Sequence, residues 1–215
     1  MPRILIIVEE WPQRAPGVAL LHEELRGAGY ETAVVTSQTD RVESVQDSVI
    51  RVPFEAPKHS GRLFRMRNAL FFDTAANPGN YAMLRDMLHL HLQEVLYDAV
   101  VILCPPAIYL KLAYWIDLSF GIPVWVHLSA PFQNTGHGAF HSWNHARLRT
   151  KYLSTARLIT AEDPEVLKAA PSQEGQLKML AIRQAEGLAL VDPSTGNRHS
   201  TIHVLQMLIR RKPQP

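Results

Sequence analysis

Apolar residues gather along this chain in short unbroken runs, and between those runs they recur at helical spacing. The first run, Ile4-Leu5-Ile6-Ile7-Val8, is too short for a globular helix and rich in β-branched side chains, so it predicts a strand buried on both faces. Pro12, Pro16 and Gly17 interrupt the pattern, and residues 18–25 resume it with the period of a helix. Gly27 and Gly29 are suited to end that helix, because glycine accepts the left-handed conformation that a helix C-terminus often needs. Ala33-Val34-Val35-Thr36 is the next strand and completes a βαβ unit. The loop of such a unit opens at the carboxyl end of its first strand, where doubly wound sheets bind ligands.

The same alternation continues. Residues 48–52 predict a short strand closed by Pro53, and residues 62–76 a helix stopped by Asn77-Pro78-Gly79-Asn80. A helix over 81–96 leads into the clearest strand, Ala99-Val100-Val101-Ile102-Leu103-Cys104. Pro105-Pro106 marks a loop, with Pro106 fitted to a helix's first turn, and the helix over 107–120 ends at Gly121. A strand over 122–127, a long loop, a helix over 139–154 and a strand over 157–160 follow. This order predicts an α/β, Rossmann-like, doubly wound and mainly parallel sheet. Beyond Pro171 the pattern predicts a helix over 173–186, a strand over 187–191 and an amphipathic helix over 201–211. The expected organisation is a Rossmann-like domain over 1–170, with 171–215 as a C-terminal helical extension packing on the same domain. That tail is too short for an independent α/β domain of ordinary size.

Composition narrows the classes without naming a function. Among 215 residues, 47% are apolar and 20% charged, which is neither a disordered nor a membrane-embedded composition. A formal charge of +2 is too small to argue for nucleic acid as a partner. The single cysteine, Cys104, lies in an apolar run and is expected to be buried and inert. The opening shows no apolar signal-peptide core, and no stretch approaches the ~20 apolar residues of a membrane helix, so the expected location is cytoplasmic. The first loop lacks Gly-x-Gly-x-x-Gly and no acidic residue promptly follows the second strand, which argues against a dinucleotide; no cofactor is expected.

Three segments carry a resemblance to a known family. Leu21-His22-Glu23-Glu24-Leu25-Arg26-Gly27-Ala28-Gly29-Tyr30-Glu31-Thr32-Ala33-Val34-Val35-Thr36 is one, and Asp98 through Pro106 followed by Gly121-Ile122-Pro123-Val124 is another. Thr155-Ala156-Arg157-Leu158-Ile159-Thr160-Ala161 is the third. In order and spacing they resemble the amino-terminal domain of family-4-like glycosyltransferases of the GT-B fold, over roughly residues 1 to 170. The resemblance implies an acceptor-binding half, with the nucleotide sugar held by a second domain whose glutamate-rich loop has no counterpart here. It implies transfer, or assistance in transfer, of a sugar to a cell-surface glycan or lipid-linked acceptor, with a separate donor-binding chain as partner. The alternative is a non-catalytic, degenerate homologue acting as a binding or scaffold module.

Several residues could carry chemistry. Gly17 at the loop-to-helix step would let backbone N–H groups approach a phosphate or sugar, against the plainer reading of a helix entry that needs little room, and Pro106 stands at the loop-to-helix step after the later strand. His127 ends a parallel strand and is the candidate general base or acceptor contact, with Ser129 close behind it; a satisfied edge histidine is the competing reading. His137, His141 and His145 recur every four residues; His141 and His145 share a helix face, yet no carboxylate or cysteine nearby completes a tetrahedral metal set. No metal is expected; acceptor or phosphate binding by His137 and His141 stands beside the competing reading of a plain solvated loop and helix surface. Arg62, Arg65 and Arg67, interleaved with Leu63, Phe64 and Met66, suit a peripheral contact with an anionic lipid surface at the inner face of the membrane. A plain solvated basic face is the competing reading for that helix.

Overall fold

The computed structural model describes residues 1–10, 16–38, 48–51, 78–104, 108–129, 139–171, 174–184 and 187–210. In chain order the elements are β1 (Arg3–Glu10), α1 (Pro16–Gly27), β2 (Glu31–Gln38), β3 (Ser48–Arg51), α2 (Pro78–Glu94), β4 (Ala99–Cys104), α3 (Ile108–Phe120) and β5 (Val124–Leu128). They continue as α4 (Ala139–Leu153), β6 (Leu158–Ala161), α5 (Pro164–Ala169), β7 (Leu177–Gln184), β8 (Gly187–Val191), β9 (Arg198–Ser200) and α6 (Thr201–Arg210). Among the described residues the strands form one sheet in the order β3-β2-β1-β4-β5-β6-β7-β8-β9. The pairings are parallel from β3 through β7, and the β7–β8 and β8–β9 pairs are antiparallel. The predicted α/β, mainly parallel class is the observed one.

The all-apolar first run has a direct structural cause. β1 lies between β2 and β4, and helices cover both of its faces, so Ile4 through Val8 are all buried. Leu5 and Ile7 pack with Leu84 and Leu88 of α2 and Leu110 and Ala113 of α3. Ile4, Ile6 and Val8 pack with Leu21 and Leu25 of α1 and Val204, Leu205 and Leu208 of α6. Period-two alternation thus sends neighbouring residues into two separate cores. At the amino ends, Arg3 is ion-paired with Glu31 and donates its backbone N–H to the Asp98 carboxylate at 2.8 Å, tying β1 to both neighbours.

Gly29, rather than Gly27, takes the left-handed conformation after α1, with φ +84. Its N–H donates to Arg26 O and that of Tyr30 to Leu25 O, both at 3.0 Å, which is the paired pattern of a Schellman cap. Tyr30 and Leu25 are both buried in the same core, supplying the apolar contact that accompanies such caps.

The tail departs from expectation. The helix predicted over 173–186 is instead β7, and the stretch after residue 170 is largely strand, with α6 as its one described helix after α5. Met179 and Ala181 of β7, with Leu188 and Leu190 of β8, pack in the core shared by α1 and α6. Parallel pairing to β6 and antiparallel pairing to β8 override the helix propensity of the segment Leu-Lys-Met-Leu-Ala. The helix expected over 62–76 lies outside the described residues.

Candidate functional site

The sheet reverses its winding between β1 and β4. The chain leaves β1 for β2 through α1 on one face, and leaves β4 for β5 through α3 on the other. Connections diverging in this way leave a crevice beyond the carboxyl ends of the two strands, the usual ligand position in open α/β sheets. Gly17 is the second residue of α1, directly after Pro16, so the helix N-terminus stands at the carboxyl end of β1. Its first-turn N–H groups have no partner within the helix and carry the positive end of the macrodipole, which suits an anionic or hydroxylic ligand.

β5 lies next to β4 and brings the second group of candidates to the same end of the sheet. His127 is the penultimate residue of β5 and is 6% exposed. Its Nδ1 lies 2.9 Å from Thr160 Oγ1, and Thr160 Oγ1 also accepts the indole N–H of Trp125 at 2.7 Å. Trp125 and His127 stand two residues apart on one face of β5, and Thr160 is the direct partner of His127 in register across β6. Thr160 is completely buried. Ser129, just past the strand, donates its hydroxyl to Cys104 O at 3.1 Å and its backbone N–H to the same carbonyl at 2.7 Å. Ser129 therefore clamps the ends of β4 and β5 together, with its hydroxyl hydrogen spent on Cys104 O. Cys104 is fully enclosed, and burial pushes its thiol far above the ordinary range, as expected of an inert residue.

The structure thus brings Gly17, His127 and Ser129 to one end of the sheet. Pro106, His137, Arg62, Arg65 and Arg67 lie outside the described residues, and of His141 only the backbone, within α4, is described. His145, one turn further along α4, is buried next to the equally buried Asn144. Among the described residues no three His, Cys, Asp or Glu side chains come together as a metal set. No helix among them is long and apolar enough to cross a membrane.

Thr160 and Trp125 were not among the candidates, although both contact His127's neighbourhood directly. The available signal was a polar residue inside the apolar run Leu158-Ile159-Thr160-Ala161. Its importance depends on register, which a single sequence does not display.

No protein-family model and no curated protein matches the chain. Among solved structures it is similar to sucrose-phosphate synthase from Thermosynechococcus elongatus, with TM-score 0.56 and 14% identity over 84% of this chain and 47% of that one. It is also similar to MurG from Acinetobacter baumannii, with TM-score 0.50 and 12% identity over 82% of this chain and 45% of that one. At these identities the likeness is one of fold, and the fold is that of GT-B glycosyltransferase domains. The chain spans less than half the length of either structure.

Proposed function

We propose that this chain is the acceptor-binding half of a sugar-transfer system. It transfers, or assists in transferring, a sugar from a nucleotide-sugar donor to a cell-surface glycan or a lipid-linked acceptor, with a donor-binding domain outside these residues completing the cleft. The observation that carries the proposal is one of extent. The chain aligns over 82–84% of its own length with only 45–47% of two GT-B glycosyltransferases, as one lobe of a two-lobed enzyme does. The family-4-like order of segments read from the sequence points to the acceptor side.

In this reading the acceptor lies beyond the carboxyl ends of β1, β4 and β5. The N-terminus of α1 at Gly17 receives a phosphate or sugar oxygen, and Ser129 and His127 line the opposite wall, His127 as base or as acceptor contact. Pro106, His137 and His141 complete the acceptor side. The reading includes a cytoplasmic location, with Arg62, Arg65 and Arg67 against the anionic inner face of the membrane when the acceptor is lipid-linked.

A second reading is a non-catalytic binding module. After α5 the chain returns into its own sheet as β7 and β8, and α6 packs in the α1 core, so these residues belong to the same lobe. Thermal-shift measurements separate the possibilities. A short-chain prenyl-diphosphate-linked sugar is expected to stabilise the protein, and UDP- or GDP-sugars alone are not. Stabilisation by nucleotide sugars alone overturns the acceptor-half assignment. Sugar transfer upon adding a donor-binding protein selects the enzyme over the binding module.

A further inference from the structure

We infer that Thr160, oriented by Trp125, holds His127 in the neutral tautomer whose proton is on Nε2, so that His127 offers the ligand a hydrogen-bond donor and does not serve as a general base. The assignment of a ligand to this histidine rests on the function proposed above; the tautomer does not.

The inference comes from counting hydrogens. A threonine hydroxyl has one hydrogen and two lone pairs, and an indole N–H can only donate. At 2.7 Å the Trp125 N–H occupies one lone pair of Thr160 Oγ1. Thr160 has no solvent exposure, so its own hydrogen needs a protein acceptor, and His127 Nδ1 stands at 2.9 Å. If Nδ1 carried a proton it would have to donate to the second lone pair of Oγ1. The threonine hydrogen would then be left buried without an acceptor, the costly arrangement for a polar group. With Nδ1 bare, the chain runs in one direction: Trp125 donates to Thr160, Thr160 donates to His127, and every polar atom in it is paired. A neutral imidazole with a bare Nδ1 carries its proton on Nε2.

The chemical consequence is specific. A general base at Nε2 needs a lone pair there, and this tautomer has a hydrogen instead. In this tautomer Nε2 can donate to an oxygen lone pair, whether of a sugar hydroxyl or of a phosphate, and cannot take a proton. Thr160 and Trp125 are positioning residues that set this donor character through the ring's other nitrogen.

Long-range proton–nitrogen NMR on the histidine-labelled full chain tests this directly, with the His127 signals identified by their loss in His127→Gln and by sequential assignment. The expected result at a pH where the ring is neutral is the Nε2-protonated form, in at least about tenfold excess over the Nδ1-protonated form. Thr160→Val should shift the Nδ1 resonance by removing the threonine hydrogen bond, and Thr160→Ser should restore it. A wild-type ring protonated on Nδ1 overturns the inference, as does an Nδ1 resonance unmoved by Thr160→Val. Should that variant fail to fold, the wild-type measurement alone decides. Adding inorganic phosphate or a methyl glycoside then reads the donor role: movement of the Nε2 resonance with one of them names the source of the oxygen, and movement with neither overturns that role. A failed sugar-binding experiment leaves the tautomer result standing, so the two readings fail separately.

Discussion

His127 and Thr160 face each other across β5 and β6, with Nδ1 and Oγ1 2.9 Å apart and the threonine wholly buried. The pair joins the stability of the sheet to the chemistry at its carboxyl end, because the same hydroxyl also accepts the Trp125 indole N–H. Thr160→Val strands that N–H in a position that is 1% exposed. It is expected to cost about 1–3 kcal/mol, and Thr160→Ser clearly less. Urea denaturation with an unchanged slope checks both.

Gly29 turns the chain from α1 into β2 at φ +84, and a Cβ there meets nothing within 4 Å. The cost of Gly29→Ala is accordingly backbone strain without any clash. Its expected size is roughly 1–2 kcal/mol, read as a lowered denaturation midpoint.

The tail is structurally integral. Leu205 of α6 is fully buried in the core shared with β1, β4 and α1. Leu205→Ala is expected to destabilise the whole chain by about 2–5 kcal/mol in a single cooperative transition. A separate early transition for residues 171–210, with the remainder unaffected, would show that the tail is an appendage.

Glu24 on α1 leaves one carboxylate oxygen, Oε2, buried without a hydrogen-bond partner. Burial raises its pKa, partly offset by hydrogen bonds from the Leu188 backbone and the Thr201 side chain. A raised carboxyl pKa means that the folded state holds more protons than the unfolded state between the unfolded and folded values. Stability from this group is therefore present at low pH and declines as pH rises through that window. Glu24→Gln removes the decline, so its Tm relative to wild type should be higher at pH 7 than at pH 4. An equal difference at both pH values contradicts the assignment.

The parts of this fold that are legible in the sequence are those where burial is two-sided. Residues 4–8 and 99–104 are apolar without interruption because helices cover both faces of β1 and β4. β7 hides the same circumstance behind residues that also form helices well, and only its partners β6 and β8 decide the outcome. Gly17 and His127 could be located because a βαβ pattern fixes which end of a strand each loop leaves. The Trp125–Thr160–His127 chain could not be read, since its members are 35 residues apart in sequence at the widest and meet only through strand register.

The most direct test of the acceptor-half assignment is an NMR titration of the full chain with a short-chain prenyl-diphosphate-linked sugar, following backbone amide shifts. Saturable movement at Gly17, His127 and Ser129 is the expected result, with the amide of Glu31, at the amino end of β2, unmoved. Saturable movement confined to that amino end of the sheet, or none at Gly17 and His127 under conditions where the ligand binds, contradicts it.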